Sequence, residues 1–132
     1  MSLVVDTSAL VAILFGEPER ERFRRLLRVT PAAVISAGNA IELLRVVARR
    51  EPHLLTDARA LLAIFGITVV SVDEAQVSLA AEGQARFGRG RGRPPAVLNF
   101  GDLFAYALAR QLDLPLLFKG DDFRQTDVKV AL

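Results

Sequence analysis

The stretch Leu3-Val4-Val5-Asp6-Thr7-Ser8-Ala9-Leu10 constrains the fold more than any other part of the chain. A short apolar run ends in one carboxylate, two hydroxyls follow, and a second apolar run begins. A short apolar run rich in valine reads as a strand of a parallel sheet, buried on both faces. Thr7 or Ser8 is placed to cap the helix that the second run predicts. In an open α/β sheet, ligands collect outside the carboxyl ends of the strands, so Asp6 falls where chemistry is usually done. Capping that helix is the other role open to Asp6, because aspartate is a preferred N-cap.

Strand-like and helical runs then alternate to the end of the chain. Ala9 to Phe15 predicts a short helix stopped at Gly16, and Pro18 opens a second helix through Arg28, with Phe23, Leu26 and Leu27 on one face. A second strand is expected over 32–36, and a helix from Ala37 to about Arg50. Another helix follows from Leu54 to Phe65, closed by Gly66, then a third strand over 67–70. Asp73 is expected to cap a helix over 74–87, and Asn99 to Leu112 forms the clearest helix of all. A fourth strand is expected over 115–118 and a short fifth, at an edge, over 128–132. This alternation predicts an α/β fold, a doubly wound parallel sheet with helices on both faces and the first strand central.

At 132 residues the chain suits a single domain over 1–132, and its 52% hydrophobic content suits a compact core. It has no cysteine, which rules out disulfides and thiolate metal sites and fits a reducing cytoplasm. No apolar stretch approaches the roughly 20 residues of a membrane span, and no secretory signal pattern is present. A cytoplasmic location, away from membranes, is the expectation.

The acids fall in a telling pattern. Asp6 follows the first strand, and Asp121 or Asp122 follows the fourth. Glu42 lies early in the helix after the second strand, and Asp102 in the first turn of the helix before the fourth. If the first and fourth strands are neighbours, these carboxylates meet in one cleft. Clustered carboxylates repel one another in a low-dielectric cleft unless a cation compensates. Oxygen-only ligands suit Mg²⁺ or Mn²⁺, which activate a water and stabilise the leaving oxygen of a phosphodiester. Taken singly, Glu42 also reads as a solvated helix residue and Asp102 as a partner of the helix dipole.

Val4-Val5-Asp6-Thr7-Ser8-Ala9-Leu10, Glu42, Leu98-Asn99-Phe100-Gly101-Asp102 and Leu117-Phe118-Lys119-Gly120-Asp121-Asp122-Phe123 together resemble the PIN domain, and more narrowly the VapC toxins of bacterial toxin–antitoxin systems. The resemblance spans nearly the whole chain, with every motif in order. It implies a PIN-like fold and a Mg²⁺- or Mn²⁺-dependent endoribonuclease acting on an RNA substrate (tRNA, rRNA or mRNA). It also implies a homodimer neutralised by a VapB-type antitoxin. Asp6, Glu42 and Asp102 match the family's first three acids, and Ser8 the hydroxyl beside the first. The fourth acid is Asp121 or Asp122, with the position nearer the strand end favouring Asp121.

The stretch from Arg86 to Arg93 sets Arg86, Arg89, Arg91 and Arg93 on what reads as a glycine-spaced loop just before the helix of Asp102. Its functional reading is contact with RNA phosphates, and its plain reading is a charged surface loop. The arginines between Arg20 and Arg28 read as a solvated face, and His53, beside Pro52 in a helix break, is not needed as a base. An apolar surplus further predicts exposed patches that hold a second copy and an amphipathic antitoxin segment, with a basic antitoxin residue over the carboxylates. Two other functions fit less of the pattern. A phosphoryl-accepting signalling domain would use Lys119 but leaves Glu42 and Asp102 idle, and a non-catalytic RNA-binding protein differs only in lacking cleavage.

Overall fold

The computed structural model describes residues 2–91 and 97–132. Strand β1 (Ser2–Val5) is followed directly by helix α1 (Thr7–Leu14), then α2 (Arg20–Arg28), β2 (Ala32–Ser36) and α3 (Ala37–Arg50). A single 3₁₀ turn (Pro52–Leu54) leads into α4 (Leu55–Ile64), β3 (Thr68–Val70), α5 (Glu74–Phe87), α6 (Phe100–Leu112) and β4 (Leu116–Leu117). The strands pair in parallel in the order β3-β2-β1-β4, so β1 is central and β4 is its neighbour.

The two-residue period of β1 divides the interior. Leu3 and Val5 point into a core shared with Leu10, Phe23, Leu27, Leu43 and Leu61, from α1 to α4. Val4 points the other way, into a core with Tyr106 and Leu108 of α6 and with Leu116 and Phe123. Burial on both faces is why the run Leu3 to Val5 is wholly apolar up to Asp6. Each fully buried side chain of this size contributes roughly 1.5–3 kcal/mol of transfer free energy. Truncating Leu10, which has no exposed surface, to alanine is expected to cost about 2–5 kcal/mol because a cavity remains.

Helix ends follow local chemistry, with some departures from expectation. Asp6 itself caps α1, accepting from the Ser8 backbone N–H, so neither Thr7 nor Ser8 is the cap. Gly16 turns the chain out of α1 at a φ of 66°, a left-handed value that glycine adopts without penalty. Pro18 sits in the turn before α2 instead of opening it, and the helix starts at Arg20. The expected fifth strand is reduced to one parallel bridge between Val130 and Leu116, because only this point of the tail lies against β4. Among the described residues no helix is long and apolar enough to cross a membrane.

Candidate active site

The carboxyl ends of the central strands open on a cleft of about 470 Å³ lined by Asp6, Glu42, Asp102 and Asp122, together with Ser8, Glu17, Asn99 and Lys119. Asp6 leaves β1 and enters this cleft through its role as a cap. Its Oδ2 accepts from the Ser8 backbone N–H at 3.0 Å and from the Ser8 hydroxyl at 2.6 Å. Its Oδ1 is buried and has no partner. Burial pushes the Asp6 carboxyl up to about 6, against the Ser8 hydrogen bonds that hold it down, and Glu42 adds a smaller upward push.

Asp102 also has two roles. With Asn99 it closes a capping box at the start of α6, where Asn99 N–H donates to Asp102 Oδ2 at 3.0 Å and Asp102 N–H donates to Asn99 Oδ1 at 3.0 Å. Desolvation pushes its carboxyl up to about 7 against the Asn99 N–H that holds it down, and repulsion from Asp6, Asp122 and Glu42 adds smaller upward pushes. So the helix-terminus roles weighed for Asp6 and Asp102 coexist with a place in the cleft. Glu42, on α3, receives a hydrogen bond to Oε1 from Asn39 Nδ2 at 3.1 Å.

The choice between the adjacent acids after β4 goes against the position favoured by the sequence. Asp122 lines the cleft and repels Asp102, whereas Asp121 is exposed and pairs with Arg124 Nε at 3.3 Å. The turn explains it. Gly120 takes a φ of 96°, and the chain that passes through it presents the second of the two carboxylates inward.

Ser8 joins three parts of the site. While its hydroxyl donates to Asp6, its oxygen accepts from the Lys119 backbone N–H at 2.9 Å, which ties the end of β4 to the start of α1. The Lys119 ammonium meets Glu17 at 2.9 Å and Glu19 at 3.5 Å, and the Glu17 hydrogen bond is the main cause of its raised pKa. Glu17 and Asn39 went unremarked in the sequence. A glutamate beside Gly16 and Pro18 looks like loop polarity, and an asparagine inside α3 looks like part of a polar face.

The arginines divide. Arg86 is in the last turn of α5, not in the loop, with its guanidinium 3.0 Å from Asp127 and 3.5 Å from Glu82 and set over the Phe87 ring. This corrects its placement among free phosphate-binding arginines. Arg89 and Arg91 are exposed. Arg89 lines a groove of about 530 Å³ whose wall also includes Asn99 and Asp122 of the acidic cleft. Arg93 lies outside the described residues. His53 is exposed beside Glu51, away from the cleft.

Among the described residues no three acidic or histidine side chains close into a metal cage. An open set of oxygens still suits a small hard cation, since Mg²⁺ keeps several waters and takes only one or two carboxylates directly. The partnerless Oδ1 of Asp6 and the upward shifts of Asp6 and Asp102, caused first by burial and then by neighbouring carboxylates, mark acids held in the fold without a counterion.

Comparison with known proteins places the fold in a family. A family model for the PIN domain matches residues 3–129. Ribonuclease VapC42 of Mycobacterium tuberculosis is 42% identical over 130 residues, 98% of this chain and 98% of that protein. Ribonuclease VapC of Mycolicibacterium smegmatis is 41% identical over 131 residues, 96% of this chain and 97% of that one. Among solved structures, Mycobacterium tuberculosis VapC20, a Sarcin-Ricin loop cleaving toxin, matches with a TM-score of 0.76 over 96% of this chain and 95% of that chain, at 20% identity. A toxin–antitoxin complex from Klebsiella pneumoniae matches with a TM-score of 0.74 over 98% of this chain and 96% of that chain, at 17% identity. At those two identities the likeness concerns the fold alone.

Proposed function

The chain belongs to the PIN-domain family and, within it, to the VapC group, and from that premise we propose that it is a metal-dependent endoribonuclease toxin. The observation that carries this reading is the set of carboxylates on one cleft, Asp6, Glu42, Asp102 and Asp122, with Asp6 Oδ1 buried and unpartnered. Those residues would hold Mg²⁺ or Mn²⁺, and Asp122, not Asp121, is the fourth acid. When bound, such an ion lowers the pKa of a water for attack on the phosphodiester and offsets charge on the leaving oxygen.

The chain's own groups do the positioning. Ser8 holds Asp6 Oδ2 and leaves Oδ1 directed elsewhere. Lys119, tethered to Glu17, is the cation among the described lining residues of the cleft. Arg89 in the adjoining groove suits a phosphate of the RNA strand next to the one being cut.

A VapB-type antitoxin is the partner that the family membership implies. An apolar groove between α1, α2 and α4, walled by Ile13, Leu61 and the exposed Ile64 and edged by Arg20, Arg24 and Asp57, suits an amphipathic segment of it. A second copy of the chain suits the other apolar face, where Ile41, Val77 and Phe100 are exposed over α3, α5 and α6.

The test is incubation of the purified protein with RNA in Mg²⁺, in Mn²⁺ and in chelator. Cleavage that requires a divalent ion and is lost on Asp6→Asn is the expected result. A folded protein that binds RNA and cuts none in either ion would leave the non-catalytic reading. The phosphoryl-accepting alternative gives Glu42 and Asp102 no work, and no feature of the cleft favours it.

A further inference from the structure

The helices that carry Asp6, Glu42 and Asp102 are tied together at a residue outside the acidic set. Asn39 lies on α3 one turn before Glu42, with 0% of its surface exposed. Its Nδ2 donates to Glu42 Oε1 at 3.1 Å and to the Gly101 carbonyl at 3.0 Å. Its own backbone carbonyl accepts from the Thr7 hydroxyl at 3.2 Å. Thr7 is the residue after Asp6, and Gly101 the residue before Asp102.

Three features make this a specific arrangement and not generic packing. Both partners of Nδ2 are acceptors only, so a flipped amide would set oxygen against oxygen twice, and the orientation is decided by its neighbours. A Cβ added at Gly101 would overlap the Glu42 carboxylate, so the carboxylate lies against backbone that only glycine leaves open. Asn39 Oδ1 is buried with no partner, a cost the fold carries in order to place the NH₂ group.

We propose that Asn39 and Gly101 form a seat that positions the Glu42 carboxylate relative to Asp6 and Asp102. Both are positioning residues, since neither is among the residues lining the cleft. The seat fixes Glu42 by a hydrogen bond on one side and by contact with backbone on the other. Hydrogen-bonded supports of metal-ligating side chains are worth roughly 10- to 100-fold in metal affinity.

This inference rests on the metal reading above, and the experiment separates the two. Mn²⁺ binding is measured by calorimetry on metal-free wild type, Asn39→Ala, Gly101→Ala, Glu42→Gln and the double variant Asn39→Ala/Glu42→Gln, beside melting temperatures. Asn39→Ala and Gly101→Ala are expected to weaken Mn²⁺ binding by roughly 10-fold or more. In the Glu42→Gln background the Asn39 change is expected to add little, because its effect passes through Glu42. Wild-type affinity in folded Asn39→Ala, or a loss that adds fully to that of Glu42→Gln, would overturn the seat while leaving the metal reading intact. If Asn39→Ala does not fold, Gly101→Ala and the double variant Gly101→Ala/Glu42→Gln decide by the same two comparisons. Wild type that takes up no Mn²⁺ overturns the metal reading, and the seat's purpose with it.

Discussion

At the strand-end cleft Asp6, Glu42, Asp102 and Asp122 share one wall with a single described lysine, and that lysine is already held by Glu17. Behind α5 and α6 the same kinds of residue alternate. There Arg110 lies 2.9 Å from Asp127 and 3.5 Å from Glu82, Arg86 meets the same two acids, and the Tyr106 hydroxyl accepts from Arg110 at 2.7 Å. In the first cluster burial, with some mutual repulsion, raises the carboxyl pKa values, whereas in the second the Tyr106 hydrogen bond and the two acids keep Arg110 firmly charged against its burial. Charge density alone therefore does not mark the site. Charge left without a partner is the better mark, because buried, perturbed acids cluster where a ligand compensates them.

The comparison breaks first if the acidic wall is not the catalytic one. Asp6→Asn is expected to lower RNA cleavage by more than about 100-fold, a larger loss than second-layer changes usually cause. In the absence of metal its melting temperature should hold or rise, since a buried, repelled carboxylate is replaced by a neutral amide. Cleavage rates and melting curves on the same preparation decide it, and full activity would remove Asp6 from the mechanism.

Next in size is the pair after β4. Asp122→Asn should lower cleavage at least about tenfold, whereas Asp121→Asn, which breaks an exposed pair with Arg124, should stay within roughly twofold. Equal losses would mean that the turn at Gly120 rearranges when substrate binds.

Stability should then follow pH with a sign peculiar to this site. Asp6 and Asp102 are pushed up to about 6 and about 7 in the fold, above the 3.8 of a free carboxyl, so between those values the folded chain binds more protons than the unfolded one. Stability from these groups is present below about pH 4 and is lost as pH rises toward 7. The loss is on the order of a few kcal/mol at most, because one unit corresponds to about 1.4 kcal/mol and Asp102 is partly hydrated. Metal-free protein should melt several degrees higher at pH 5 than at pH 8, and Mn²⁺ should close most of that gap. A metal-free melting temperature that rises steadily over this interval would show the cluster to be no more strained than the paired one.

What the sequence made legible follows from range. The strands, the helices and the place of Asp6, Glu42 and Asp102 at their ends rest on local patterns, each readable within a few residues, whereas the pairing of β1 with β4 is long-range and was only a condition of the reading. The choice of Asp122 over Asp121 depends on a backbone turn at Gly120 that no neighbouring residue type dictates. Asn39 was hidden because its second partner, Gly101, is 62 positions away, although an asparagine three residues before a helix glutamate is a signal for the first. Arg86 was misplaced for the same reason, since Asp127 lies 41 residues further on.

That misplacement supplies the smallest and sharpest contrast, between arginines that are engaged and arginines that are free to meet RNA. Arg86→Ala removes an exposed guanidinium from two acids that Arg110 still serves, so it should cost about 0.5–1 kcal/mol of stability and leave KM for RNA unchanged. Arg89→Ala/Arg91→Ala removes two exposed charges that belong to no described ion pair, one of them in the groove that continues from the cleft. If each grips a phosphate of single-stranded RNA, losing it flattens the dependence of log affinity on log salt by about 0.7 per contact. KM should rise several-fold, with kcat at saturating RNA little altered, because the loop binds substrate but holds no metal. Cleavage of one RNA at several salt concentrations compares wild type with both variants. A raised KM and a flatter slope for Arg86→Ala, with wild-type values for Arg89→Ala/Arg91→Ala, would reverse the division. The knot behind α5 and α6 would then be part of the RNA path, and its ion pairs contacts that substrate displaces.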